Sequence, residues 1–90
     1  MGGEREMLVE RLDETIRVRA DFKGGTIKPL VFVRRGQIHR VASVNCRWMD
    51  REGTAKIYYF SVTADSGDVY QIHLNTGDMT WHLDQVMIES

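Results

Sequence analysis

Ninety residues, 42% of them hydrophobic and 28% charged, match an ordinary globular domain and exclude collagen-like, disordered and membrane-embedded classes. The start, Met1–Glu6, lacks a basic-then-apolar leader, and no apolar run approaches the length of a membrane span, so a cytoplasmic protein without membrane contact is expected. The net charge of −1 conceals eleven Lys/Arg against seven Asp/Glu up to Arg51 and one against six from Glu52 onward, a split of +4 and −5.

One domain is the natural count, read as an N-terminal arm or short helix over residues 1–13 followed by a single β domain over 14–90. Met7, Leu8 and Leu12 follow a helical spacing within Glu4–Leu12, although so short a helix needs tertiary support. Thr15–Phe22 alternates, with Ile16, Val18, Ala20 and Phe22 on one face and Thr15, Arg17, Arg19 and Asp21 on the other, as in a half-buried strand. Lys23-Gly24-Gly25 ends it, and Pro29 opens Leu30–Val33, suiting a first-strand or edge position where its missing N–H does no harm.

Arg34-Arg35-Gly36 signals a hairpin, with Gly36 supplying positive φ. The next strand runs from Gln37 to about Met49. Ala42, Val44, Cys46 and Trp48 share a face there, and a bulge near His39–Arg40 would return Ile38 to it. Cys46, the sole cysteine, excludes an intrachain disulfide and a multi-cysteine zinc site, and reads as a buried structural thiol. A three-residue Asp65-Ser66-Gly67 loop would set Tyr58, Phe60 and Val62 opposite Leu74, Ile72 and Tyr70. A two-residue Thr76-Gly77 turn would then set Tyr70, Ile72 and Leu74 opposite Leu83, Trp81 and Met79.

About six strands in meander order predict an all-β fold, a single small antiparallel β-roll or SH3-like barrel. The expected core is Ile38, Val44, Trp48, Phe60, Val62, Tyr70, Ile72, Leu74, Trp81 and Leu83. The pattern of Pro29-Leu30-x-Phe32, Arg35-Gly36, Val41, Val44, Trp48, Tyr59-Phe60-x-Val62, Gly67-x-x-Tyr70 and Trp81-x-Leu83-x-x-Val86 resembles a family of small uncharacterised bacterial all-β domains, found alone or appended to Y-family DNA polymerases. The likeness covers most of 10–86 and rests on turn and core positions. It implies a shared fold and a link to nucleic-acid metabolism, and carries no catalytic residues.

No nucleophile elbow, phosphate-binding glycine loop or metalloprotease helix is present, so no catalytic residue, cofactor or metal site is expected. His73 and His82 share an outer face diagonally, without a third ligand beside them. The leading expectation is a non-catalytic protein-interaction or self-association module, since a chain this short buries only about 60–65% of its unfolded surface and gains from a partner or a second copy. Its candidate strip is Ile57, Tyr59 and Val69, apolar side chains on the face opposite Tyr58 and Phe60. The alternative is an accessory nucleic-acid-binding domain using the basic strands 28–51. Arg34, Arg35, Arg40 and Arg47 would then track phosphates while Tyr59 or Trp48 stacks on a base. Opposing it are the sequence pI near 6.3 and the chance of ion pairs to Asp13, Glu14, Asp78 or Asp84.

Overall fold

The computed structural model describes the backbone of residues 7–89 and the side chains of 8–88. Six antiparallel strands follow one another: β1 (Met7–Lys23), β2 (Thr26–Arg34), β3 (Gln37–Glu52), β4 (Ala55–Ala64), β5 (Val69–Asn75) and β6 (Thr80–Glu89). Each pairs with its sequence neighbour, and β1 also pairs with β6, so the sheet closes on itself. Among the described residues no helix is long and apolar enough to cross a membrane.

The two longest strands make closure possible by serving two sheets. The first half of β1 pairs with β6 and its second half, from Arg17, with β2. Likewise, β3 pairs with β2 over Gln37–Arg40 and with β4 from Val41 onward. A small sheet, β1–β2–β3, therefore folds over a larger one, β1–β6–β5–β4–β3. The expected helix over 4–12 is corrected for its described part: residues 7–11 are strand, in register with Gln85–Glu89 of β6. A lone helical turn has few internal bonds, whereas this segment gains a full ladder. The start of that expected helix lies outside the described residues.

The core between the sheets contains Ile16, Phe32, Phe60, Val62, Ala64, Tyr70, Ile72, Leu83 and Val86, with Leu12, Val18, Ile27, Val41, Val44, Tyr58 and Trp81 partly buried against it. Six of the ten expected core residues, Phe60, Val62, Tyr70, Ile72, Leu74 and Leu83, are buried. Ile38 and Trp48 are not, at 68% and 40% exposure. No bulge falls at His39–Arg40; the interruptions come later, between Val41 and Ser43 and between Val44 and Cys46. Each inserts one residue and so shifts the alternation by one, leaving Val44 opposite Val62 while Cys46 and Trp48 emerge opposite Ser61 and Tyr59. Cys46 is accordingly exposed, not buried. His39 takes the inward place expected for Ile38, stacked on Phe32 with ring centroids 4.9 Å apart.

The β2–β3 turn is the expected one. Arg34 faces Gln37, and Arg35 and Gly36 both take positive φ (51° and 77°), as a type I′ turn requires. The β4–β5 register also matches expectation, with Tyr58, Phe60 and Val62 opposite Leu74, Ile72 and Tyr70. The β5–β6 register does not. Leu74 faces Trp81 and Ile72 faces Leu83, a slip of two residues. Four residues, Thr76–Met79, make the loop: the Asn75 carboxamide oxygen accepts from Gly77 N at 2.8 Å, Asp78 Oδ1 accepts from Thr80 N at 3.1 Å, and Met79 takes a positive φ of 57°. An even slip leaves the side chains up to Leu83 on their expected faces; beyond it Asp84 is an extra residue in β6, so Val86 rather than Leu83 faces Tyr70.

Candidate functional site

The expected four-arginine group does not assemble. Arg34, at the end of β2, places Nε 3.1 Å and Nη2 3.3 Å from the two carboxylate oxygens of Glu14, and Arg35 Nη2 lies 3.0 Å from Glu14 Oε1. One carboxylate thus offsets part of the charge of two guanidiniums. Arg47, opposite the buried Phe60, lines a separate groove of about 280 Å³ with Trp48, Met49 and the Gly25–Ile27 turn segment. The Arg34 guanidinium holds the Glu14 carboxyl below its ordinary value of 4.5, with Arg35 contributing less. Stability from this contact is present above the ordinary glutamate range and is lost as pH falls through the lowered value. In a carboxyl-detected NMR titration Glu14 is expected to protonate below 4.5, with Arg34→Gln moving the midpoint up further than Arg35→Gln. Equal shifts from the two variants would contradict the assignment.

Arg40 instead joins two arginines from β1. On the outer face of the small sheet, Arg17 faces Val33 and Val33 faces Ile38, while Arg19 faces Val31 and Val31 faces Arg40. These six residues, with Val18, line a depression of about 440 Å³. Its floor is the half-buried pair Val31 and Val33, its apolar rim the exposed Ile38, and its walls Arg17 and Arg19 on one side and Arg40 on the other. No carboxylate lines it, and among the described residues none of the three arginines forms an ion pair. Alternation had already put Arg17 and Arg19 on an outward face. Their meeting with Arg40 depends on two cross-strand registers that sequence proximity does not reveal.

The larger sheet carries a different outer feature. Trp48, Tyr59, His73 and His82, from β3, β4, β5 and β6, are direct register partners at each step. Their ring centroids are 5.3, 5.1 and 4.7 Å apart in turn, and Trp48 and Tyr59 are within 3° of parallel. His73 and His82 are thus directly opposed, not diagonal, a result of the two-residue slip. Asp84 Oδ1 lies 2.7 Å from His73 Nδ1, and Gln71 Nε2 donates to Asp84 Oδ2 at 3.3 Å. The Thr80 hydroxyl donates to Asp78 at 2.6 Å, so its 2.8 Å contact with His82 Nε2 requires that nitrogen to carry the proton. Both histidines therefore have a ring nitrogen engaged by a side-chain oxygen, and no metal-holding group of three occurs among the described residues.

The expected interaction strip divides. Ile57 is 3% exposed, a correction to its expected place on the wet surface, although it is not part of the core cluster between the sheets. Tyr59 is half-buried within the ring row, its hydroxyl pKa raised by burial and then by Asp84. Val69, also half-buried, lies farther along β5, opposite Thr63 and Met87. In comparisons with protein-family models, curated proteins and solved structures, the chain matches none of them.

Proposed function

We propose that this chain is a non-catalytic, cytoplasmic interaction module, with its closed sheet used as an SH3-like roll that docks an acidic, partly apolar protein segment. The observation that carries this reading is the arginine-walled depression: three cations from two strands surround an apolar floor with no carboxylate among its lining residues. An extended segment that alternates carboxylates with aliphatic side chains satisfies both parts of it, because the carboxylates reach the walls while the aliphatic groups cover Val31, Val33 and Ile38. Nucleic acid, the partner class implied by the polymerase-appended family, fits less well. The depression has no aromatic residue for base stacking, and the ring row lies on the other sheet.

The test is fluorescence anisotropy with a labelled decapeptide of alternating glutamate and leucine, run beside a labelled oligothymidine of matched charge. The peptide should bind, and Arg40→Glu should weaken it at least tenfold, about 1.4 kcal/mol, by reversing one wall. Arg47→Glu, outside the depression, should leave it within about twofold. Oligothymidine binding with a steep salt dependence and no peptide binding would move the function to nucleic acid. Peptide binding indifferent to Arg40→Glu would remove the depression from the site.

A further inference from the structure

The closed strand order still leaves backbone edges without a partner among the described residues, because β1, β2 and β3 pair over only parts of their lengths. Two of these edges are unsuited to receive another strand. The long edge of β1 is broken by a bulge between Arg11 and Glu14, with Asp13 at a positive φ of 46°, and the shift between Arg19 and Ala20 is a bulge in β2, where Leu30 is the extra residue. In β2, Pro29 removes a donor. Bulges and edge prolines discourage strand addition. The free edge of β3 differs. After its second bulge it pairs with β4 without interruption from Cys46 to Glu52, and all of these residues are exposed, including Trp48 at 40% and Met49 at 47%.

We propose that this edge of β3 pairs with the same edge of a second copy, antiparallel, about a two-fold axis centred on Trp48. A two-fold axis normal to the sheet keeps outer face with outer face, so it must pass beside one residue and set that residue opposite its own copy. Charge then selects the register. Centres at Arg47, Asp50, Arg51 or Glu52 bring a charged side chain against itself, and a centre at Met49 brings Arg47 against Arg51. A centre at Cys46 or earlier runs the regular segment into the copy's bulge at Val44/Cys46. A centre at Trp48 keeps the five residues Cys46–Asp50 clear of the bulge: Arg47 faces Met49, Cys46 faces Asp50, and no direct pair has like charges.

The ring row supplies the contact at that centre. Trp48 is its terminal member, with Tyr59 stacked on one side and the β3 edge on the other. Pairing sets two terminal indoles side by side and joins both four-ring rows into one across eight strands. This assembly shares no residue with the arginine-walled depression and stands independently of what docks there. The paired segment is only a few residues long, so association is weak and concentration-dependent.

Sedimentation equilibrium from micromolar to millimolar protein should show the mass rising from 10.4 kDa towards twice that value. Trp48→Glu, which sets two carboxylates against each other at an exposed position, should hold it at the monomer. Asp50→Cys tests the register, because it places the introduced thiol opposite Cys46 of the copy, within disulfide reach. That variant should form a covalent dimer under mild oxidation. Wild-type chains should not, because their two Cys46 thiols lie four residues apart along the paired strands, about 13 Å. A mass that stays monomeric throughout, or wild-type chains crosslinking as readily as Asp50→Cys, would overturn the proposal.

Discussion

Replacing Phe32 by alanine is expected to cost about 3–5 kcal/mol of stability, the range for deleting a fully buried aromatic ring. Phe32 has no exposed surface, and it joins parts of the fold that are otherwise thinly connected. It faces Val18 of β1 and His39 of β3, stacks on the His39 ring at 4.9 Å, and meets Tyr70 of the larger sheet edge-on at 5.0 Å. The β2–β3 ladder beside it spans only Val31–Arg34 and Gln37–Arg40, so the seam has little other support. A domain of this size typically has about 5–15 kcal/mol in total, and the loss would be a large fraction of it. Urea unfolding followed by circular dichroism measures the change. Phe22→Ala and Ile38→Ala, at positions 63% and 68% exposed, should each stay within about 0.5 kcal/mol. A loss below about 1 kcal/mol for Phe32→Ala would show that the two sheets are held together elsewhere.

How much of this architecture was legible in the sequence depends on whether an error in register was odd or even. In β4 and β5 the alternation of Tyr58, Phe60, Val62, Tyr70, Ile72 and Leu74 was unbroken, and the Asp65–Gly67 loop set their pairing correctly. For β6 the loop was read two residues too short, yet Leu83 remained inside because a slip of two preserves the face. In β3, two bulges each changed the count by one, and no residue type there announces them. Reading straight alternation through Ala42, Val44, Cys46 and Trp48 therefore placed Cys46 and Trp48 inside, where they are not.

The expected four-arginine group is divided for a related reason. Arg34, Arg35, Arg40 and Arg47 are close in sequence, but neighbouring strand residues point to opposite faces and a bulged strand changes sheets along its length. The residues that meet on one face are Arg17, Arg19 and Arg40, brought together by the β1–β2 and β2–β3 registers. Each could be read as outward-facing on its own. Their convergence is a property of the pairing, as is the alignment of Trp48, Tyr59, His73 and His82 across four strands. Of the ion pairs considered from the sequence, Glu14 is the partner that forms with Arg34 and Arg35.

Ile57→Ala is expected to destabilise the protein by roughly 2–3 kcal/mol, at the low end of the range for a buried isoleucine. Alternation puts Ile57 on the outer face with Tyr59, opposite Asp50 on one side and Asn75 on the other, where an exposed apolar contact was expected. The β5–β6 loop is held against the same end of β4, and we infer that it covers Ile57. Thr76 N donates to Lys56 O at 3.0 Å, Thr76 Oγ1 donates to the same oxygen at 2.7 Å, and Lys56 N donates to Thr76 Oγ1 at 3.1 Å. These bonds draw the loop onto the start of β4, so closely that a Cβ built on Gly77 would sit 3.1 Å from Ala55 Cβ. Truncating Ile57 leaves a void at the edge of this loop, and a loop relaxes into a void more readily than a strand does, hence the low end of the range. Thr76→Ala, which removes the hydroxyl from two of the three bonds, should cost about 1 kcal/mol. Because both act on one contact, the double variant should lose less than the sum, measured as a double-mutant cycle in urea. Full additivity would place the burial of Ile57 under something other than this loop, whereas coupling would assign it to the loop contact.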